Sequence, residues 1–493
     1  MTNHLFIQLI LIISLWSSVG ISASSQIVTL STTDTQKLID ENDWLKLARQ
    51  IFLEARSTYK FEPSIVIGQA KGGFIKDALD TIEVLHPATQ SHHLISLLRN
   101  AAFLSKEKRD ELTHKAIKSA RENTYKTAPH NLKSGELINI ALYYSSRGDE
   151  KHSKELFYEA IREAEAGFTE TGGNSYRRIT DKINRAATEE IKPWMLEIIQ
   201  ANFRKTKNAK DLAFTCIDMA EIAWKKNNLT QSTMYIKCAS TAINNIKNSK
   251  FKKITIKQLE RTKDILHYSN TTETGSYFSQ AIREARSGHI KKSYQIVSKL
   301  RQNLYVDHKL SAYKRVFNDA IKRNDLIAAN YFAERPVRKL PYLTITIWKT
   351  FAEKQFGTGE QKSALISYKK ASSVLNKISA SPKVYLSDIK SILQLSESML
   401  RNNLKNDGRQ TLLLAQRLLG KIPENRVDDH AKASILVSEA LWQNKMKNEA
   451  KKLFKDTYDY TLLYDTNKPH KHRKKARLLS AIGQLAVTFG TLK

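Results

Sequence analysis

From Trp44 onward, apolar residues recur three and four positions apart and polar residues fill the positions between them, which is the period of an amphipathic helix. No alternating run is long enough to read as a strand. Good helix formers dominate. The 9 prolines are sparse, and most of the 17 glycines fall between amphipathic runs, where they mark loops. The pattern therefore predicts an all-α chain. Its breaks centre on Gly73, Gly148, Asn227, Gly288, Asn324, Gly359, Asp407 and Lys445. Later breaks lie about 35 to 48 residues apart, and the first two gaps are about twice that, the size expected of repeated helical hairpins. Weaker bends at Ser105 to Lys108 and at Thr188 to Pro193 divide the long gaps.

A finer pattern sits inside the hairpins. Starting from a small residue on the first helix, a bend follows seven positions on, a second small residue at twelve, a bulky one at sixteen and a third small one at nineteen. Ala352, Gly359, Ala364, Tyr368 and Ala371 follow this order, as do Ala141, Gly148, Ser153, Phe157 and Ala160. So do Ala220, Asn227, Ser232, Ile236 and Ala239, and Ser438, Lys445, Ala450, Phe454 and Thr457, with a partial set at Ala281, Gly288, Ser293 and Val297. Small residues let two antiparallel helices approach, and the bulky one fills the groove beside them. At these offsets the sequence resembles the tetratricopeptide repeat family, over most of residues 60 to 470.

The resemblance implies an α-solenoid, a superhelix of stacked antiparallel hairpins whose first helices line a concave face where ligands lie. It places Glu221, Trp224 and Lys225 on that face, with Lys349, Glu353 and Phe356 and then Glu439, Trp442 and Gln443 as equivalents. Aromatic residues flanked by charges suit an extended peptide. The alternative for both tryptophans is packing against the next repeat.

The stretch Gly357-Thr-Gly-Glu-Gln-Lys-Ser363 has the look of a phosphate loop, but such a loop needs a strand before it and a glycine directly before its lysine. Gln361 holds that place and the preceding residues are helical, so the stretch reads as a hairpin bend. No HExxH, GxSxG or CxxC occurs. His92 and His93 are adjacent and point about 100° apart on a helix. His470 and His472 lie among cations. We therefore expect no metal site, no cofactor and no enzyme activity.

Leu5 to Trp16 is a short uncharged apolar run followed by small residues, which reads as a signal peptide over residues 1–24. Residues 25–43 read as a flexible lead-in, 44–467 as the repeat domain, and 468–493 as a basic segment with a C-terminal capping helix. No later segment is apolar enough to span a membrane. Lys and Arg exceed Asp and Glu to give a net charge of +31, a field that attracts polyanions. The densest basic run holds Lys468, Lys471, Arg473, Lys474, Lys475 and Arg477, a candidate polyanion contact or a solvated linker.

Only two cysteines are present, Cys216 and Cys238, level with each other across one predicted bend. A disulfide and a pair of buried thiols both remain open. The function expected from all of this is an exported, periplasmic or secreted scaffold that binds a protein or peptide. The alternative is a binder of anionic envelope polymer or lipid, and export argues against nucleic acid.

Overall fold

The computed structural model describes residues 32–491, apart from 60, 86, 102, 123–128, 172–174, 187–188, 203–207, 227, 266–272, 301–307, 338–339 and 465–468. The signal peptide, Asn227 and Lys468 lie outside the described residues. Among those described there are twenty-four α-helices and no strand. The first eight are α1 (Thr32–Asp40), α2 (Trp44–Thr58), α3 (Pro63–Lys71), α4 (Ile75–Glu83), α5 (Pro87–Asn100), α6 (Lys106–Arg121), α7 (Pro129–Ser146) and α8 (Glu150–Thr171). There follow α9 (Ser175–Arg185), α10 (Pro193–Asn202), α11 (Ala209–Lys225), α12 (Leu229–Asn244), α13 (Ser249–Ile265), α14 (Glu273–Arg286), α15 (Ile290–Lys299) and α16 (His308–Lys322). The last eight are α17 (Leu326–Glu334), α18 (Pro341–Gly357), α19 (Gln361–Ala380), α20 (Leu386–Arg401), α21 (Lys405–Leu418), α22 (Val427–Gln443), α23 (Lys447–Leu462) and α24 (Pro469–Thr491).

Helices pair across short bends, and the bend residues take the left-handed backbone that closes such corners. Gly73, Gly148, Gly288 and Gly359 have φ of 78 to 86°, and Asn42, Asn324, Asn403 and Lys445 have φ of 57 to 63°. Gly359 thus serves the bend between α18 and α19. The expected bend at Asp407 is displaced to Asn403, and Asp407 lies in the first turn of α21. Asp-Gly looks like a turn, yet Gly408 is a packing glycine inside the helix, because a Cβ there would lie 2.6 Å from Leu400.

The twelve-residue offset is made by hydrogen bonds between paired helices. Ser153 Oγ donates to the Ala141 carbonyl at 2.9 Å, Ser232 to Ala220 at 3.0 Å and Ser293 to Ala281 at 2.6 Å. In two later pairs the direction reverses, Ser396 donating to the Gly408 carbonyl at 2.7 Å and Ser438 to Ala450 at 2.9 Å. A small residue at each site lets the serine hydroxyl reach the facing backbone, so it is satisfied without water.

Successive first helices pack on one another: α3, α5, α7, α9, α11 and α13 form one such series, and α18, α20, α22 and α24 another. Second helices also meet through side chains: α15 packs on α17, Arg121 of α6 pairs with Glu159 of α8 at 2.8 Å, and Phe157 of α8 packs on Trp194 of α10.

Helices from the first and last described segments pack on one another. α24 packs along α2 and also contacts α22 and α3, so it joins the last pair to the earliest ones. Phe489 lies by Trp44 and Gly483 by Phe52, so the two helices run antiparallel like any other pair. Gly483 and Gly490 keep the seven-residue spacing of a first helix, while Ala48, Phe52 and Ala55 keep the spacing of a second helix. One repeat is thus assembled from opposite ends of the chain. A Cβ on Gly483 would sit 2.7 Å from the Phe52 ring, so close approach here requires glycine.

Two expectations are corrected by this closure. The lead-in contains α1, whose Leu38 and Ile39 are buried where it packs on α2 and α23. The basic run is not a linker before a cap, because Pro469 opens a continuous helix that completes the stack. One apolar cluster unites buried side chains of residues 38–65 with those of 281–489, and a second covers 66–259. The clusters part in α3 and again between α13 and α14.

Candidate functional site

Two hollows open on the face made by first helices. The first, about 480 Å³, is lined by Lys349, Glu353, Phe356 and Gly357 of α18 with Arg401 and Asn402 at the end of α20. Three of the residues expected on the concave face are therefore brought together. Lys349 Nζ and Arg401 Nη2 each lie 3.4 Å from a Glu353 oxygen. Beneath them Phe356 packs on Tyr368 with ring centres 5.9 Å apart, and Asn402 Nδ2 donates to the Tyr368 hydroxyl at 2.9 Å. The floor is aromatic and the rim is charged with both signs.

The second hollow, about 450 Å³, lies between α9, α11 and α13, lined by Arg177, Arg178, Asp181, Arg185, Phe214, Asp218 and Gln258. Arg177 lies over the Phe214 ring at 3.9 Å and within 3.7 Å of Asp211, and Arg185 pairs with Asp181 at 2.9 Å. Thr180 Oγ1 donates to Asp218 at 3.0 Å. Burial, reinforced by the like charges of Asp181 and Glu221, pushes the Asp218 carboxyl up to about 7. Burial also raises Asp211 in spite of Arg177, and raises Glu136 on α7 in spite of Lys182. His92 is held at about 4 by burial and then by Lys182 and Arg99.

The other sequence-derived residues have structural partners. Glu221 accepts from Asn184 Nδ2 at 2.7 Å and from Thr262 Oγ1 at 2.5 Å, tying α11 to α9 and α13. Lys225 donates to the Asn184 carbonyl, and Trp224 is half-buried beside them. Glu439 accepts from Gln443 at 3.4 Å. Trp442 is corrected: it is 6% exposed, stacked on Phe489 at 4.2 Å and edge-on to Trp44 at 5.3 Å, so it belongs to the closing seam.

The basic run is largely spent on closure. Arg473 and Arg477 approach Glu62 at 3.1 and 3.4 Å, Lys474 approaches Asp428 at 3.4 Å, and Lys475 donates to the Leu462 carbonyl at 2.7 Å. Lys471 is partly exposed. Cys216 and Cys238 are joined by a disulfide between α11 and α12, with Cα atoms 6.0 Å apart. Among the described residues no group of three or more His, Cys, Asp or Glu is placed to hold a metal ion, and no helix is long and apolar enough to cross a membrane.

Sequence reading missed the second hollow. Its signal is the segment from Ser175 to Arg185, where Tyr176, Ile179 and Ile183 are buried and the opposite face carries Arg178, Asp181 and Arg185. Asp218 gave no local signal, because its environment is assembled by α9.

No protein-family model matches the chain, and no curated protein matches it. Among solved structures it is similar to Ton1535 from Thermococcus onnurineus NA1, at 13% identity with a TM-score of 0.28, over 84% of this chain and 97% of the other. It is also similar to a circular tandem repeat protein with novel repeat topology and enhanced subunit contact surfaces, at 12% identity with a TM-score of 0.19, over 87% of this chain and 90% of that one.

Proposed function

We propose that the protein is an exported, non-enzymatic scaffold, a tetratricopeptide-like α-solenoid that holds a segment of another exported protein against its first helices. The observation that carries this is the hollow of α18 and α20, where Phe356 lies among Lys349, Glu353, Arg401 and Asn402. An apolar anchor with paired charges of both signs suits a polypeptide, which brings side chains and backbone dipoles together. The apolar leader from Leu5 to Trp16 and the bridged cysteines agree with an oxidising, extracytoplasmic setting. Binding of anionic envelope polymer or lipid rests on the net charge, and the engagement of Arg473, Lys474 and Arg477 in ion pairs weakens it.

The test is retention of envelope components on the immobilised protein at low and high salt, compared with a Phe356→Ala/Arg401→Ala variant. A polypeptide held at both salts and bound about tenfold or more weakly by the variant is expected. Retention only of polymer or lipid, falling steeply with salt and unchanged in the variant, would overturn the proposal.

A further inference from the structure

The hollow between α9, α11 and α13 has a composition that the peptide-holding role does not by itself require. Three arginines and two aspartates face it, and they are not equally engaged. Arg177 is fixed by Phe214 and Asp211, and Arg185 by Asp181. The side chains of Arg178 and Gln258, which line the same space, make no hydrogen bond or ion pair with a described residue, and the charge of Arg178 is felt by the buried Glu136 carboxyl of α7. Arg178 is exposed and Gln258 half-exposed, so both have donors turned toward whatever enters. Asp218 closes the inner end, held by Thr180.

We infer that this hollow binds a carboxylate group, gripped by the guanidinium of Arg178 and the amide of Gln258, and sharing one proton with Asp218. The guanidinium fork matches a carboxylate bidentately. Binding joins a ligand carboxylate, an ionised Asp218 and one proton from solvent into an acid–carboxylate hydrogen bond, so charge and protons balance. A doubly charged phosphate fits less well, because Asp181 and Asp218 both stand beside it. Cationic groups are disfavoured by the three arginines.

The pH dependence has a definite sign. The charged groups around Asp218 are Arg177, Arg178, Asp181 and Arg185 of α9 and Glu221 of α11, with uncharged Thr180 and Gln258 completing the wall. Asp218 in the empty site titrates near 7, and a bound carboxylate raises it further. Binding therefore takes up a proton above neutrality and weakens as pH rises through that range.

The inference builds on the peptide-holding reading by naming the acidic side chain as the group recognised. Its source is separated by three probes: an N-acetylated, C-amidated peptide with one central Glu, the same peptide with Gln, and glutarate. Calorimetry at pH 6 and pH 8, in buffers of different ionisation enthalpy, is expected to show the Glu peptide binding about tenfold or more tightly than the Gln peptide. Proton uptake should approach one at pH 8. Arg178→Gln should cost about tenfold or more. Asp218→Asn should abolish proton uptake and remove the difference in affinity between pH 6 and pH 8. Equal binding of the Glu and Gln peptides, an unaffected Arg178→Gln, or tighter binding of inorganic phosphate would overturn the site. Glutarate binding with proton uptake, but no peptide bound, would keep the carboxylate site and reject the peptide source. A peptide bound without regard to Arg178 would do the reverse.

Discussion

Lys445 turns the corner between α22 and α23 with φ of 61°, a conformation in which its Cβ crowds the following carbonyl. Equivalent corners use glycine at Gly148, Gly288 and Gly359. Lys445→Gly should therefore raise stability by about 1 kcal/mol, read as an upward shift of the urea midpoint with an unchanged slope. A different kind of residue-scale tension sits at Glu54, whose carboxyl is raised by burial even though the Tyr458 hydroxyl donates to it at 2.6 Å. These residues lie 404 positions apart, so the pair also fastens α2 to α23. Single-residue features of the first sort were legible in the sequence, because a glycine between amphipathic runs announces its corner. Those of the second sort were not, since neither Glu54 nor Tyr458 carries any local sign of the other.

At the scale of helices, the pair α11 and α12 is cross-linked by Cys216 and Cys238, a turn or more farther from the bend than the bond from Ser232 to Ala220. The bridge closes a loop of 22 residues, so its loss should cost about 2 to 4 kcal/mol. Cys216→Ser/Cys238→Ser should melt lower than the oxidised protein and become insensitive to added thiol, whereas an unchanged melting temperature would mean the bridge adds no stability. The pairing of helices was readable from the twelve-residue offset, which the serine hydroxyls turn into real bonds. Trp442 takes the packing alternative and not the ligand-facing one, for an instructive reason. Its position on a first helix is right for the inner face, but the helix that covers it, α24, starts 24 residues beyond the bend at Lys445, and its partner Trp44 comes from a distant part of the chain. Periodicity tells which face of a helix is apolar and not what will cover it.

For the whole molecule, the pairing of α24 with α2 makes a packed joint between the first and last parts of the described chain. Linking Thr491 to Thr32 through a short flexible segment and reopening the chain within 266–272 should give a protein that unfolds within about 1 kcal/mol of the original. Deleting residues 469–493 should instead expose Trp44, Phe52 and Trp442, and the product should bind a hydrophobic dye and sediment as aggregates. A permutant that fails to fold, with a truncation that stays soluble and cooperative, would remove the closing role of α24. The sequence already held both halves of this joint, Ala48, Phe52 and Ala55 at one end and Gly483 and Gly490 at the other. They went unpaired because a repeat is ordinarily sought in consecutive residues.

The shared joint also sets a timetable. As the polypeptide emerges from its N-terminus, α2 is made long before α24, so the apolar side of α2 waits through the synthesis of every helix between them before its cover arrives. Such a chain gains its final cooperativity in one late step, across a very large sequence separation. Until that step, the exposed stripe is an invitation to holdase chaperones, and a stalled or truncated product is marked for disposal by the surface it was never able to hide.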